Sequence, residues 1–254
     1  MRSNPYVNID FDSIEASEKA QSIMRTKKCL RDIYIEKYNL MMSWRKKYLV
    51  NDGDVLEIGS GGGFIKDLYP EVITSDVKEL SNVDMVVNAE NLPFENNSID
   101  AILAAHVIHH IPDICKFLDE ANRVLKIGGG IICLEPYWSP FAKLLYKKVH
   151  PEPFDEDAKE WTLDGNNPMT SSNQAMSYIL LKRDRSKFNQ LYPQFKLIRL
   201  KRMSFIRYMM TGGIWLKPKA PGWAFPILKY IEVLLTPLMP LFAIHHIFIL
   251  KKVS

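Results

Sequence analysis

The chain has 254 residues, 47% of them hydrophobic and 24% charged, enough apolar material for one large core and a composition that excludes collagen, coiled coil and intrinsic disorder. Its net charge of +4 is unevenly spread: residues 178–254 carry 14 Lys and Arg against only Asp184 and Glu232, while residues 1–177 carry 19 basic against 27 acidic side chains. Cys29, Cys115 and Cys133, odd in number and without CxxC spacing, exclude a disulfide framework, and the opening MRSNPYVNIDFDS is polar where a signal peptide is apolar; both point to the cytoplasm.

No internal repeat or low-complexity tract interrupts the pattern. In the first fifty residues Ile33, Leu40, Met41, Trp44 and Leu49 fall near helical spacing and predict a helix over Cys29–Tyr48, stopped by Asn51-Asp52-Gly53. Short apolar runs rich in β-branched residues follow at 54–58, 72–76, 85–88, 99–105 and 130–135, each trailed by a polar segment of helical length. Such alternation predicts a parallel sheet wrapped by helices. It breaks after residue 137 into an insertion, 138–192, containing Pro, Trp and acids, before 195–203 returns to strand-like alternation and 243–253 closes the chain as a last strand. The organisation is thus an N-terminal helical segment (1–50), a core (51–137), an insertion (138–192) and a C-terminal strand pair carrying an apolar, basic insert (193–254), all within one domain.

The strongest local signal is VLEIGSGGGF, Val55 to Phe64. A buried strand running into Gly59, Gly61, Gly62 and Gly63 lets the backbone turn sharply and meet a ligand without Cβ interference. A phosphate loop would need Gly-Lys-Ser/Thr, which is missing, and a dinucleotide fingerprint would need glycine where Phe64 stands. What remains places Glu57 two residues before the first glycine, an acid better suited to the cationic amino-acid end of a cofactor than to a pyrophosphate.

Further motifs follow in order: ITSDV ending near Asp76, NAENLPFENNSIDAI from Asn88, HVIHHIPD from His106 and VLKIGGGIICLEP from Val124. With these, residues 52–136 resemble the class I S-adenosylmethionine-dependent methyltransferases, specifically the small-molecule branch called methyltransferase type 11. The resemblance implies a Rossmann-like α/β fold with a seven-stranded, mostly parallel sheet, an antiparallel last strand, helices on both faces and substrate-cap insertions. It implies S-adenosyl-L-methionine as cofactor, with Glu57, Gly59, Ser60, Gly61 and Gly63 at the methionine part and Asp76 on the ribose hydroxyls. Asn88, Ala89 and Glu90 would line the adenine, Asn88 standing where the family usually has an acid.

His106, at the end of the fourth strand beside cofactor and acceptor, is the first candidate for a catalytic base and His109 the second; His110 reads as a loop residue. In the insertion His150, Glu152 and Asp155 form a polar cluster with two readings, exposed loop first and a reach to the substrate side second. Neither HExxH nor a spaced Cys/His set is present, and the neighbours His245 and His246 point to opposite faces of a strand, so no metal is expected.

The connection between the last two strands is too apolar for a solvated loop. Ile214, Trp215, Trp223, Phe225, Ile227, Leu228, Val233, Leu234, Leu235, Leu238 and Leu241, with Lys217, Lys219 and Lys229 alongside, suit a segment lying on an anionic bilayer or capping a lipid-like substrate. A core-packing helix ranks second. A membrane span over 233–250 ranks third, opposed by Pro237, Pro240, His245 and His246. Nucleic-acid binding is disfavoured because the interleaved apolar residues are aliphatic as often as aromatic. The expected acceptor is a small or membrane-associated molecule, first a hydroxyl of a lipid-linked sugar or polysaccharide precursor, next a quinone-like carbon; a non-catalytic binding protein on the same fold is the rival class. The sequence leaves the oligomeric state open.

Overall fold

The structure, a computed structural model, describes residues 10–50, 53–165, 167 and 170–254; the opening nine residues and the Asn51-Asp52 helix stop lie outside them. Seven strands form one sheet: β1 Asp54–Ile58, β2 Ile73–Asp76, β3 Met85–Val86, β4 Ile99–Ala105, β5 Leu125–Pro136, β6 Phe195–Met203 and β7 His245–Lys252. Their order is β3-β2-β1-β4-β5-β7-β6, with β7 antiparallel to both neighbours and the other pairs parallel. The apolar runs of β1, β4 and β5 are buried on both faces, which is why they read as continuous rather than alternating.

Side chains alternate between two cores. Val55, Ala101, Leu103, Ile132 and Ile247 face the helices α1 Ile14–Thr26 and α2 Lys28–Tyr48, meeting Leu30, Tyr34, Met41 and Trp44. Leu56, Ile102, Ile131 and Phe248 face the opposite way, toward α3 Ile114–Val124 and the insertion, which contributes α4 Pro140–Lys148, α5 Met176–Tyr178 with a π-helical turn Ile179–Arg183, and α6 Arg185–Leu191. Trp161 and Phe188 place the insertion in this second core.

The expected helix after every strand is not present. Of the connections between β1 and β5 only that from β4 to β5 holds an α-helix, α3, capped by Asp113, whose side chain accepts from the N–H groups of Cys115 and Lys116. A single 3₁₀ turn, Ile65–Asp67, follows β1. The face so exposed is covered from the N-terminus instead: α1 buries Ala16, Ala20 and Met24, and α2 follows after Lys27. Two of the three residues that α1 buries are alanines, which lets its backbone approach the sheet edge closely.

Between β6 and β7 run α7 Ile206–Thr211, α8 Ala224–Leu234, a 3₁₀ turn Thr236–Leu238 and α9 Met239–Phe242. Helix α8 buries none of its residues, so core packing does not describe it, whereas Met209, Ile214 and Met239 of the same connection do pack against the cores. Strand β7 takes His245–Lys252 into the sheet, which rules out a span over 233–250. Among the described residues no single helix is long and apolar enough to cross a membrane; α8 and residues 236–242 reach that length and composition only together, bent by 66°.

Candidate active site

The carboxyl ends of β1, β2 and β4 open into a cavity of about 810 Å³, at the upper end of the range that ligand pockets occupy. Its floor is the glycine loop. Gly59 has φ +60°, and a Cβ there would lie 2.5 Å from a Val107 methyl. Gly61, at φ +41°, donates its N–H to Asp76 Oδ2 at 2.8 Å, and its missing side chain leaves that carboxylate facing the cavity. The other two glycines serve packing: a Cβ on Gly62 would press on the α1 backbone at Gln21, 3.0 Å away, and one on Gly63 on the Tyr38 hydroxyl at 2.7 Å.

Asp76 also accepts the Lys78 N–H, at 2.9 Å through Oδ1. Each Asp76 oxygen thus holds one backbone N–H and keeps further acceptor capacity for the ribose hydroxyls that the resemblance assigns to it. Beside it Glu57 is buried and takes the Ser60 hydroxyl at 2.6 Å. Burial pushes the Glu57 carboxyl up to about 7, against the opposing effect of the Ser60 hydrogen bond. Asn88, Ala89 and Glu90 border the same cavity. Asn88 Oδ1 accepts the Glu90 N–H at 2.9 Å, so an adenine amino group would share an oxygen already engaged in the turn. Glu90 in turn accepts the Asp113 N–H at 2.6 Å, tying this rim to the start of α3.

On the opposite side stands His106, a non-glycine residue at φ +63° whose N–H donates to the Leu134 carbonyl at 2.7 Å. Its ring lies 4.7 Å from that of His245 and 6.4 Å from those of Tyr34 and His109, and its Nε2 is shielded from water with no hydrogen-bond partner. Burial, together with the charges of Lys37 and His109, holds it well below the usual histidine range and therefore neutral.

His109 is placed differently. Its Nδ1 lies 2.5 Å from Glu135 Oε2 and its Nε2 3.5 Å from Glu152 Oε2. Glu135, at the end of β5, is fixed by the N–H groups of Val107 and Ile108, both 2.9 Å from its other oxygen. Burial alone would lower His109, but the Glu135 carboxylate and then Glu152 raise it to about 10. Each ring nitrogen of His109 thus faces a carboxylate, which leaves it less suited than His106 to the role of base read from the sequence.

His150 and Glu152 line the cavity, the second of their two sequence readings, because the insertion folds back over it; Gln174 joins them, its Nε2 donating to Glu152 at 2.8 Å and contacting His150 Nδ1 at 2.8 Å. Asp155 does remain in its loop, accepting the Asp157 N–H. Tyr34, Tyr146, Tyr208 and His245 complete the wall, and sequence reasoning passed over them; only Tyr34 and Tyr38, four apart on α2, left a visible signal. His246 turns to the other face, 3.0 Å from the Ser177 hydroxyl. Behind the wall the buried Lys37 approaches His245 Nδ1 at 3.4 Å and the rings of Tyr34 and Tyr208 at 4.6 and 4.7 Å. Burial, and after it the Arg207 charge, lowers its ammonium to about 7. The mouth is rimmed by residues 212–216, pinned by Lys27 Nζ on the carbonyls of Gly213 and Leu216 at 2.6 and 2.5 Å.

A glycine loop and an acid at the ends of β1 and β2, on a sheet whose antiparallel β7 sits between β5 and β6, define the class I S-adenosylmethionine-dependent methyltransferase fold. Residues 56–133 match the family model Methyltransf_11, described as a methyltransferase domain. It is 40% identical over 88 residues to the demethylmenaquinone methyltransferase of Staphylococcus haemolyticus, a match covering 32% of this chain and 37% of that protein. It is 53% identical over 57 residues to the ubiquinone/menaquinone biosynthesis C-methyltransferase UbiE of Brucella canis, covering 22% of this chain and 21% of that one. The chain thus matches between about a fifth and little more than a third of the length of these curated relatives. A chain from the Haloferax volcanii complex of the Trm112 methyltransferase activator superposes with a TM-score of 0.50 at 13% identity, over 98% of this chain and all of that one, and shares the fold.

Proposed function

We propose that the protein transfers a methyl group from S-adenosyl-L-methionine to an apolar, quinone-like lipid taken from a membrane surface on the cytoplasmic side. The observation that carries this reading is the continuity of one cavity from the Gly61–Asp76 cradle, past His106, to the rim at residues 212–216 that belongs to the exposed apolar segment. The residues fit the donor: Asp76 keeps acceptor capacity for a sugar diol, Gly61 leaves room above it, and buried Glu57 favours a cationic amino-acid end.

When bound, that cofactor supplies a methyl group on a positively charged sulphur. The protein then has to align acceptor and donor, exclude water and receive the proton the acceptor loses. Tyr34, Tyr146 and Tyr208 give the acceptor side an aromatic wall, and His106 Nε2, unpartnered and held by its own backbone bond to Leu134, takes the proton. The activities for which the relatives are named support the quinone-like carbon over the lipid-linked sugar hydroxyl that composition first suggested, and reverse that order.

Calorimetric titration with S-adenosylhomocysteine tests the foundation. The wild type gives saturable heat, and Asp76→Ala loses about 1.5–3 kcal/mol of affinity, roughly 10- to 100-fold, the worth of hydrogen bonds to a charged group. Incubation with labelled donor and a quinol-containing lipid extract then labels a lipid. His106→Gln slows that labelling by about 10²-fold or more and leaves the titration heat in place. Absence of heat in the wild type returns the chain to a non-catalytic scaffold.

A further inference from the structure

The expectation of no metal rested on spacing along the chain, and the fold brings together a set that spacing does not show. His109 and His110 sit side by side on the 3₁₀ turn Ile108–His110 after β4, and the insertion folds Glu152 against them. One ligand-capable atom from each of the three lies within 4.8 Å of the other two. We propose that His109, His110 and Glu152 form a binding site for one divalent transition-metal ion of the Zn²⁺ or Fe²⁺ class, set in the cavity wall.

The distances suit it. His109 Nε2 and His110 Nε2 stand 3.5 and 3.8 Å from Glu152 Oε2, whereas two donors at about 2.1 Å from a tetrahedral ion are separated by roughly 3.4 Å. Closure therefore asks for a few tenths of an ångström along these two edges, and for up to about 1.4 Å between the two imidazoles, whose ligand atoms lie within 4.8 Å of each other. Two imidazoles and one carboxylate are the donor set of borderline divalent ions, and a hard ion that prefers oxygen ligands is excluded by the same chemistry.

The surroundings are those of a metal site. A ligating histidine donates its second ring N–H to a carboxylate that fixes ring and tautomer, and His109 Nδ1 meets Glu135, itself locked by two backbone N–H groups. The ligating carboxylate is held as well, by Gln174 Nε2. His110, with 9% of its side chain exposed, has a buried Nδ1 without a hydrogen-bond partner, and buried Gln174 leaves Oε1 without one. An ion–carboxylate pair alone does not account for a second histidine so placed. On binding, the ion replaces the proton at His109 Nε2, while the Nδ1–H stays on Glu135. All three ligands line the cavity, so the fourth position of the ion opens toward it and can take water or an oxygen of the acceptor.

The test reads binding, not turnover, and so stands apart from the methyl-transfer reading. The full chain, stripped with a chelator, is titrated with Co²⁺ followed by absorption spectroscopy, and then with Zn²⁺. The expected result is one Co²⁺ per chain with d–d bands of a nitrogen-containing site, displaced by one Zn²⁺. Glu152→Gln and His110→Asn each weaken uptake at least about tenfold, and Glu135→Gln weakens it by roughly 10- to 100-fold while leaving the three ligands in place. Asp157→Asn, on an exposed residue of the same loop, leaves uptake unchanged. Near-ultraviolet circular dichroism identifies a variant that has not folded; the remaining variants then carry the comparison. Uptake equal in wild type, Glu152→Gln and His110→Asn, or no stoichiometric uptake by the wild type, overturns the proposal.

Discussion

Glu57 is the residue whose chemistry is most altered by its position. An acid whose folded value rises to about 7 from 4.5 favours its protonated form in the native state, so its contribution to stability falls as pH climbs from about 4.5 to about 7. A bound cationic amino group reverses the preference. Affinity for S-adenosylhomocysteine is therefore expected to rise with pH across about 7 in the wild type and to be nearly flat in Glu57→Gln, measured by titration between about pH 6 and pH 8. Parallel curves for the two proteins would detach Glu57 from the ligand's amino end. Asp76 shows a related economy of placement: the bonds that shape its own turn also aim it into the cavity.

At the level of elements, α8 stands out because it is apolar and unburied. Trp223 is 72% exposed, Tyr230 75% and Leu234 79%, with Ile227 and Val233 also beyond half, a run of large exposed apolar side chains of the kind that marks an interaction surface. The segment is nonetheless anchored: Glu36 of α2 binds Arg207 and Lys229, and Glu232 accepts the N–H groups of Phe205 and Arg207. Such an element suits the interfacial role assigned to it above. Replacing both Ile227 and Leu234 by Asp should reduce co-sedimentation with anionic vesicles by well over tenfold, since each apolar side chain of this size contributes about 1.5–3 kcal/mol when buried, while S-adenosylhomocysteine affinity stays as in the wild type. Equal sedimentation of the two proteins would remove the membrane from the proposed function.

Across the whole molecule the two ends of the chain meet at the site. Lys37 of α2 and His245 of β7, 208 residues apart, touch beneath the cavity wall. A lysine held to about 7 when folded prefers its neutral form there, so the native state is disfavoured wherever the unfolded chain carries the charge. The sign follows: between about pH 7 and pH 10.5 the unfolded state binds more protons, and stability rises with pH over that window. Lys37→Met removes the charge at similar volume and is expected to stabilise by about 1–4 kcal/mol near pH 7, with the gain shrinking toward alkaline pH. Thermal unfolding at several pH values checks it. A destabilising effect at every pH would mean that the ammonium is needed to hold α2 against β7.

What the sequence by itself determined is what its short range controls. Strands β1, β4 and β6 stand where apolar and β-branched runs put them, and the glycine loop and Asp76 sit where two strands end, because burial and backbone sterics act over a few neighbouring residues. Only the tertiary structure decided the acceptor side. His109 meets Glu135 across 26 positions, and Glu152 reaches both histidines only once the insertion closes over the sheet. Helix α1 closes on the glycine loop through Ala20 and the backbone at Gln21, a contact between residues some forty positions apart. These contacts follow from the path of the chain around the sheet, a property of loop lengths and packing summed over the fold, so no local pattern encodes them.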